Sequence, residues 1–81
     1  SYKQKNIFVK ANINEKEIEK IKGVVKIEKN KDEYIIKVEE ESIVNKVFKE
    51  ISKCENVEKF LVEAPSLHEI FISKVGESYE E

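Results

Sequence analysis

The sequence predicts an α+β fold, a four-stranded antiparallel sheet with helices laid across it, and three observations carry that prediction. The hydrophobic period alternates along the chain between about two residues, as in half-buried strands, and about 3.6 residues, as in amphipathic helices. In the middle, two alternating segments follow one another with only a short polar link, as in a hairpin. Finally, 81 residues with 40% apolar and 40% charged side chains suit one thin, efficiently packed core under a heavily charged surface, and are too apolar for disorder.

Each element has a local reason. NIFVKA, residues 6–11, is β-branched and aromatic enough for a first strand. In INEKEIEKIKG, Asn14 is placed to cap a helix with Glu17 reaching back to it. Ile13 and Ile18 are spaced as a hydrophobic staple, Ile18 and Ile21 point inward, and Gly23 supplies a left-handed stop. The run VVKIEKNKDEYIIKVEE predicts a hairpin, with Val25 and Ile27 inward on one strand, Tyr34, Ile36 and Val38 inward on the other, and Asn30-Lys31-Asp32 between them. Ser42 is placed to cap a second helix, where Val44, Val47, Phe48 and Ile51 fall at i, i+3, i+4 and i+7.

After KCEN, VEKFLVEA is the fourth strand. The chain's single proline, Pro65, holds Ala64 extended, and Ser66 with Glu69 makes a capping box for a final helix presenting Leu67, Ile70, Phe71, Lys74 and Val75 on one face. The order β-α-β-β-α-β followed by α specifies a ferredoxin-like sandwich with spatial strand order 4-1-3-2 and one additional C-terminal helix. The expected organisation is a single domain over residues 1–81 with its ordered core at about 5–76.

Composition excludes several functions. Fifteen lysines, no arginine and seventeen acidic residues give a net charge of −2 with the signs interleaved, which argues against a nucleic-acid partner. Phe8, Tyr34 and Phe60 are the only aromatics placed to stack bases on a sheet, and the acidic balance opposes that use. Gly23 and Gly76 stand far apart, with no GxxxxGKS/T loop for ATP. His68 has no nucleophile or orienting carboxylate in a defined relation to it, and Cys54 has no CxxC or Cys/His spacing, so no catalytic residue and no metal ligand is expected. Glu39, Glu40 and Glu41 are consecutive and point in different directions, which suits a helix start better than an ion site. No apolar run reaches the roughly 18 residues needed to insert into a membrane, and no secretory signal is present, which favours the cytoplasm.

Pro65-Ser66-Leu67-His68-Glu69-Ile70-Phe71, followed by Val75-Gly76, resembles the closing motif of ATP-binding subunits of ABC-type transporters, especially bacterial drug and sodium exporters. In that family a PSLEEIF motif ends a small accessory domain behind the nucleotide-binding domain. Pro65, Ser66, Leu67, Glu69, Ile70 and Phe71 match it, His68 departs from it, and Gly23-Val24 before a hairpin is similar to a second family feature.

The resemblance implies a parent chain whose phosphate-binding loop, signature sequence and catalytic glutamate, and therefore ATP and Mg²⁺, lie upstream of Ser1. The opening Ser and the absence of Met agree with an excised C-terminal piece. The expectation is a non-catalytic accessory, regulatory or docking domain without a cofactor of its own, held at the cytoplasmic face of the membrane. Its partners would be the upstream nucleotide-binding domain, a second ATPase subunit or the membrane permease. Leu67, Ile70, Phe71 and Val75 are the candidate contact residues, their face either completing the local core or docking on a neighbour. The alternative is a free-standing sensor binding a small molecule near Ala11-Asn12-Ile13-Asn14, where no glycine opens a ligand loop.

Overall fold

The computed structural model describes residues 3–65. Strand β1 (Lys5–Lys10) leads into helix α1 (Glu15–Glu19). Strands β2 (Val24–Asn30) and β3 (Glu33–Val38) form the hairpin. A 3₁₀ turn (Glu41–Ile43) runs into helix α2 (Val44–Ile51), and β4 (Lys59–Glu63) closes the sheet. The strands are antiparallel in the order β2-β3-β1-β4, which is the expected 4-1-3-2 read from the other edge.

Register explains which side chains form the core. Facing the helices, one row runs Ile27, Ile36, Ile7, Val62 across the four strands, and the next runs Lys29, Tyr34, Val9, Phe60. Ile7, Val9, Ile36 and Val38 from this face close on Ile13, Ile18, Ile43, Val47 and Ile51 in a single cluster, so both helices cover the same side of the sheet. Each fully buried Ile or Val contributes about 1.5–3 kcal/mol, and in a domain this small few of them are dispensable.

Four local expectations are corrected. Neither Asn14 nor Ser42 caps a helix with its side chain: Asn14 accepts from the Glu17 and Ile18 amides through its backbone carbonyl, and Ser42 sits inside the 3₁₀ turn. Helix α1 ends at Glu19, so Ile21 reaches the core from a turn and Gly23 is not the residue that stops the helix. Gly23 has φ +105°, and a Cβ built on it would lie 2.5 Å from Ile43 Cγ1 and Cδ1, so the backbone passes directly over that side chain. Val25 is 54% exposed because the β2/β3 register shifts between Val24 and Lys26; the bulge turns Val24 inward in its place.

The fourth correction concerns α2. Its buried line is Ile43, Val47 and Ile51, which leaves Val44 and Phe48, four residues apart, on one flank of that line, Val44 half-buried and Phe48 51% exposed. Phe48 faces β4 and packs edge to face with Phe60, with centroids 5.1 Å apart and planes at 78°. The hairpin turn narrows to Lys31 and Asp32 between the paired Asn30 and Glu33, and Lys31 takes φ +59°.

Candidate functional site

The described residues carry little that resembles reaction chemistry. No group of three or more His, Cys, Asp or Glu side chains among them is arranged to hold a metal ion. Glu39 and Glu40 lie exposed in a bend, and Glu41 opens the 3₁₀ turn. Cys54 is a half-buried free thiol whose Sγ donates to the Asn12 carbonyl at 3.4 Å, fastening the end of α2 to the loop after β1. Beside it, Asn12, Asn14, Glu17, Glu50 and Lys53 line an open hollow of about 400 Å³. Lys53 already pairs with Glu50 at 3.1 Å, and no buried side-chain nitrogen or oxygen among the described residues lacks a partner.

Surfaces are more informative. On the face of the sheet opposite the helices, Ile35 of β3, Phe8 of β1 and Leu61 of β4 stand side by side in register, an apolar row across three strands. Phe8 and Ile35 are half-buried and Leu61 is exposed. Charges fence the row on two sides. Lys59 reaches Glu33 at 2.6 Å and lies over the Phe8 ring, 5.7 Å from its centroid. At the β2 end, Glu28 meets Lys26 at 3.0 Å and Lys37 at 4.0 Å. The Lys26 hydrogen bond, then the Lys37 and Lys26 charges, hold the Glu28 carboxyl below its ordinary value. An apolar strip rimmed by ion pairs has the composition of a protein-binding patch.

The three aromatics considered for base stacking do not share this face. Phe8 occupies it, whereas Tyr34 and Phe60 pair with Val9 in the helix-facing row. Phe60 belongs to a second surface, an apolar notch between α2 and the outer strand β4. Along the row Ile36, Ile7, Val62 exposure rises from 0% and 0% to 38%, because the helix layer covers β3 and β1 and, of β4, reaches Phe60 more fully than Val62. Phe48 forms the other wall.

Of the residues singled out in the sequence, Pro65 is described, half-buried and beyond the end of β4. Ser66, Leu67, Glu69, Ile70, Phe71 and Val75, together with His68 and the expected final helix, lie outside the described residues. The open-face row and the notch escape a reading of the sequence because strand register creates them. The available signal is the run Phe60-Leu61-Val62, apolar on both faces of one strand, where a half-solvated edge strand ordinarily alternates.

β1 begins beside the end of β4, since Asn6 pairs with Glu63. The two ends of the described chain therefore emerge together. No described helix is long and apolar enough to cross a membrane.

Comparison with known proteins identifies the family. Residues 1–75 match the family model of the ATP-binding protein DrrA1-3-like, C-terminal domain. The chain is 33% identical over 79 residues to an uncharacterized ABC transporter ATP-binding protein of Alkalihalophilus pseudofirmus, covering 98% of this chain and 30% of that protein. It is 29% identical over 80 residues to the uncharacterized ABC transporter ATP-binding protein YhaQ of Bacillus subtilis, covering 99% of this chain and 27% of that one. The chain thus spans less than a third of the length of these relatives. No solved structure matches it. With a family match over nearly its whole length and relatives aligned end to end with it, the chain belongs to the C-terminal domains of DrrA1-3-like ABC transporter ATP-binding proteins.

Proposed function

We propose that this domain is a non-catalytic docking element of an ABC transporter ATP-binding protein, contributing to subunit pairing or to coupling between ATP use and transport. The observation that carries the reading is the family match, joined to relatives more than three times as long as the chain. ATP, Mg²⁺ and their ligands then belong to an upstream domain of an ATPase at the cytoplasmic face of the membrane. A second ATPase subunit or the membrane permease is the further partner.

The row Phe8, Ile35, Leu61 is the described surface that suits a protein contact, and the upstream domain is the nearest candidate to meet it. A domain joined through a short connection acts at an effective concentration in the millimolar range, so even a modest patch is occupied. The test is Leu61→Glu, made both in this chain and in the full-length ATP-binding protein. Leu61 is 42% exposed at the edge strand and outside the core cluster, so the 81-residue chain should keep its fold and lose at most several degrees of Tm. The full-length protein loses subunit pairing or transport. Unchanged pairing and transport would remove the open face from the proposal.

The hollow at Asn12, Asn14 and Lys53 favours one rival, a sensor of a small polar molecule. A thermal-shift screen of metabolites separates the two readings, because a ligand that binds the native state must raise Tm in a saturable way. A screen in which no compound does so leaves docking as the working function.

A further inference from the structure

We propose that β4 pairs with β4 of a second copy of this chain, antiparallel about a two-fold axis at Leu61, so that the two sheets join edge to edge into one. The inference rests on the docking reading and gives it a partner, a second subunit, and a contact, a strand edge.

The sequence of β4, Lys59-Phe60-Leu61-Val62-Glu63, is complementary to itself in a single register. Run antiparallel about Leu61, it sets Lys59 against Glu63 of the partner at both ends, Phe60 against Val62, and Leu61 against Leu61. A parallel pairing would oppose Lys59 to Lys59 and Glu63 to Glu63, and a slip by two residues would put a charge against Leu61. A slip by one would turn the partner's helices to the opposite face. Lys59 holds Glu33 at 2.6 Å within its own chain and keeps donors for a second carboxylate, while Glu63 is exposed.

Three observations make this edge the one to join. β4 is an outer strand, and among the described residues only β1 pairs with it. Its apolar side chains face both ways and stay open at Leu61 and Val62, where a solitary edge is ordinarily guarded by an inward charge, a proline or a bulge within the strand. The opposite edge, β2, carries such a guard, since the bulge between Val24 and Lys26 breaks the spacing that a regular ladder needs.

The joined sheet continues what each copy presents. Residues directly opposite share a face, so both copies lay their helices on the same side. On the open side the row Ile35, Phe8, Leu61 runs on into Leu61, Phe8 and Ile35 of the partner, doubling the apolar strip. On the helix side Phe60 of one copy meets Val62 of the other beside the exposed Phe48.

The experiment is analytical ultracentrifugation of the 81-residue chain up to about 1 mM, the effective concentration that a short connection supplies. The parent chain, Lys59→Glu, Glu63→Lys and an equimolar mixture of the two variants are compared. The parent chain should dimerise. Each variant alone opposes like charges at both ends of the ladder and should weaken the dimer roughly tenfold. The mixture restores opposite charges in a heterodimer and should recover the parent affinity. Absence of a dimer, a dimer indifferent to both variants, or a mixture no tighter than its components overturns the proposal.

A second measurement does not involve the Lys59 and Glu33 pair. In a Cys54→Ser background, Leu61→Cys should oxidise to a linked dimer much faster than Val25→Cys on the β2 edge, because residues opposite one another across the axis have Cβ atoms about 5 Å apart. Equal rates reject the Leu61 register. If the charge variants leave pairing of the full-length protein intact while Leu61→Glu abolishes it, the edge contact falls and open-face docking stands. If the chain responds as expected while the full-length protein ignores the same variants, the edge contact stands and its docking role falls.

Discussion

Gly23→Ala tests the close approach of the Gly23 backbone to Ile43. Gly23 lies at φ +105°, well beyond the left-handed basin that L residues reach, and its missing Cβ would stand 2.5 Å from two carbons of Ile43. Holding a side-chain-bearing residue at such a φ costs about 1–3 kcal/mol. Forcing the overlap costs roughly another 1–3 kcal/mol, because Ile43 is buried against Val47 and Ile51 and has little room to yield. The lower entropy of the unfolded alanine chain returns about 0.4–1 kcal/mol.

The net loss is thus about 1–6 kcal/mol, in a domain whose total stability should be about 4–12 kcal/mol. By thermal melting that is a fall of at least about 4 °C. The two causes separate in a cycle with Ile43→Ala, which removes all three atoms nearest the added Cβ. The double variant should be about 1–3 kcal/mol more stable than the sum of the single effects predicts. If the two substitutions add to within about 0.5 kcal/mol, the steric argument is wrong and only the backbone argument survives. If Gly23→Ala melts with the parent, both arguments are wrong.

Three other sites give sharper local tests. Val25→Lys should change stability by less than about 0.5 kcal/mol, whereas Val24→Lys should cost about 1–2 kcal/mol; the reverse order in urea midpoints would contradict the bulge. Lys31→Asn should stabilise by about 0.5–1 kcal/mol, since Asn tolerates a positive φ better than Lys, and a lower urea midpoint would refute that assignment. Because the Glu28 carboxyl is held below its ordinary 4.5, its contribution is complete above that pH and disappears as pH falls through the lower folded value. Glu28→Gln should therefore flatten the acid limb of a stability profile and leave its slope near neutral pH unchanged, while a profile parallel to the wild type would show that the Lys26 ion pair does not persist in solution.

Much of the fold is legible in the sequence, and the places where it is not share a cause. The stripes at Ile18, at Val47 with Ile51, and at Ile36 with Val38 reveal element type and inward face, because burial of those residues dominates their local energetics. Helix starts mislead because Asn14 and Ser42 have the right chemistry for capping while the backbone satisfies the first turns by other means. Val25 reads as a core residue because a bulge costs one residue of register, and nothing in VVKIEK marks where it falls. Phe48 reads as inward because a helical stripe has a width, and only tertiary packing decides how far round the helix burial extends. The candidate surfaces are less legible still. The row of Phe8, Ile35 and Leu61 joins residues far apart in sequence, and only pairing brings them together.

The adjacency of the β1 start and the β4 end has a mechanical consequence. A load carried between the chain before Lys5 and the chain after Glu63 pulls adjacent antiparallel strands apart from the same end, across their ladder. Hydrogen-bonded pairs loaded that way break one after another, beginning with Asn6 and Glu63, whereas strands pulled from opposite ends resist in shear with all pairs together. The domain is therefore soft along the line joining the chain before Lys5 to the chain after Glu63. Under tension β4 peels away first, while β2, β3 and the core around Ile36 and Val38 stay folded.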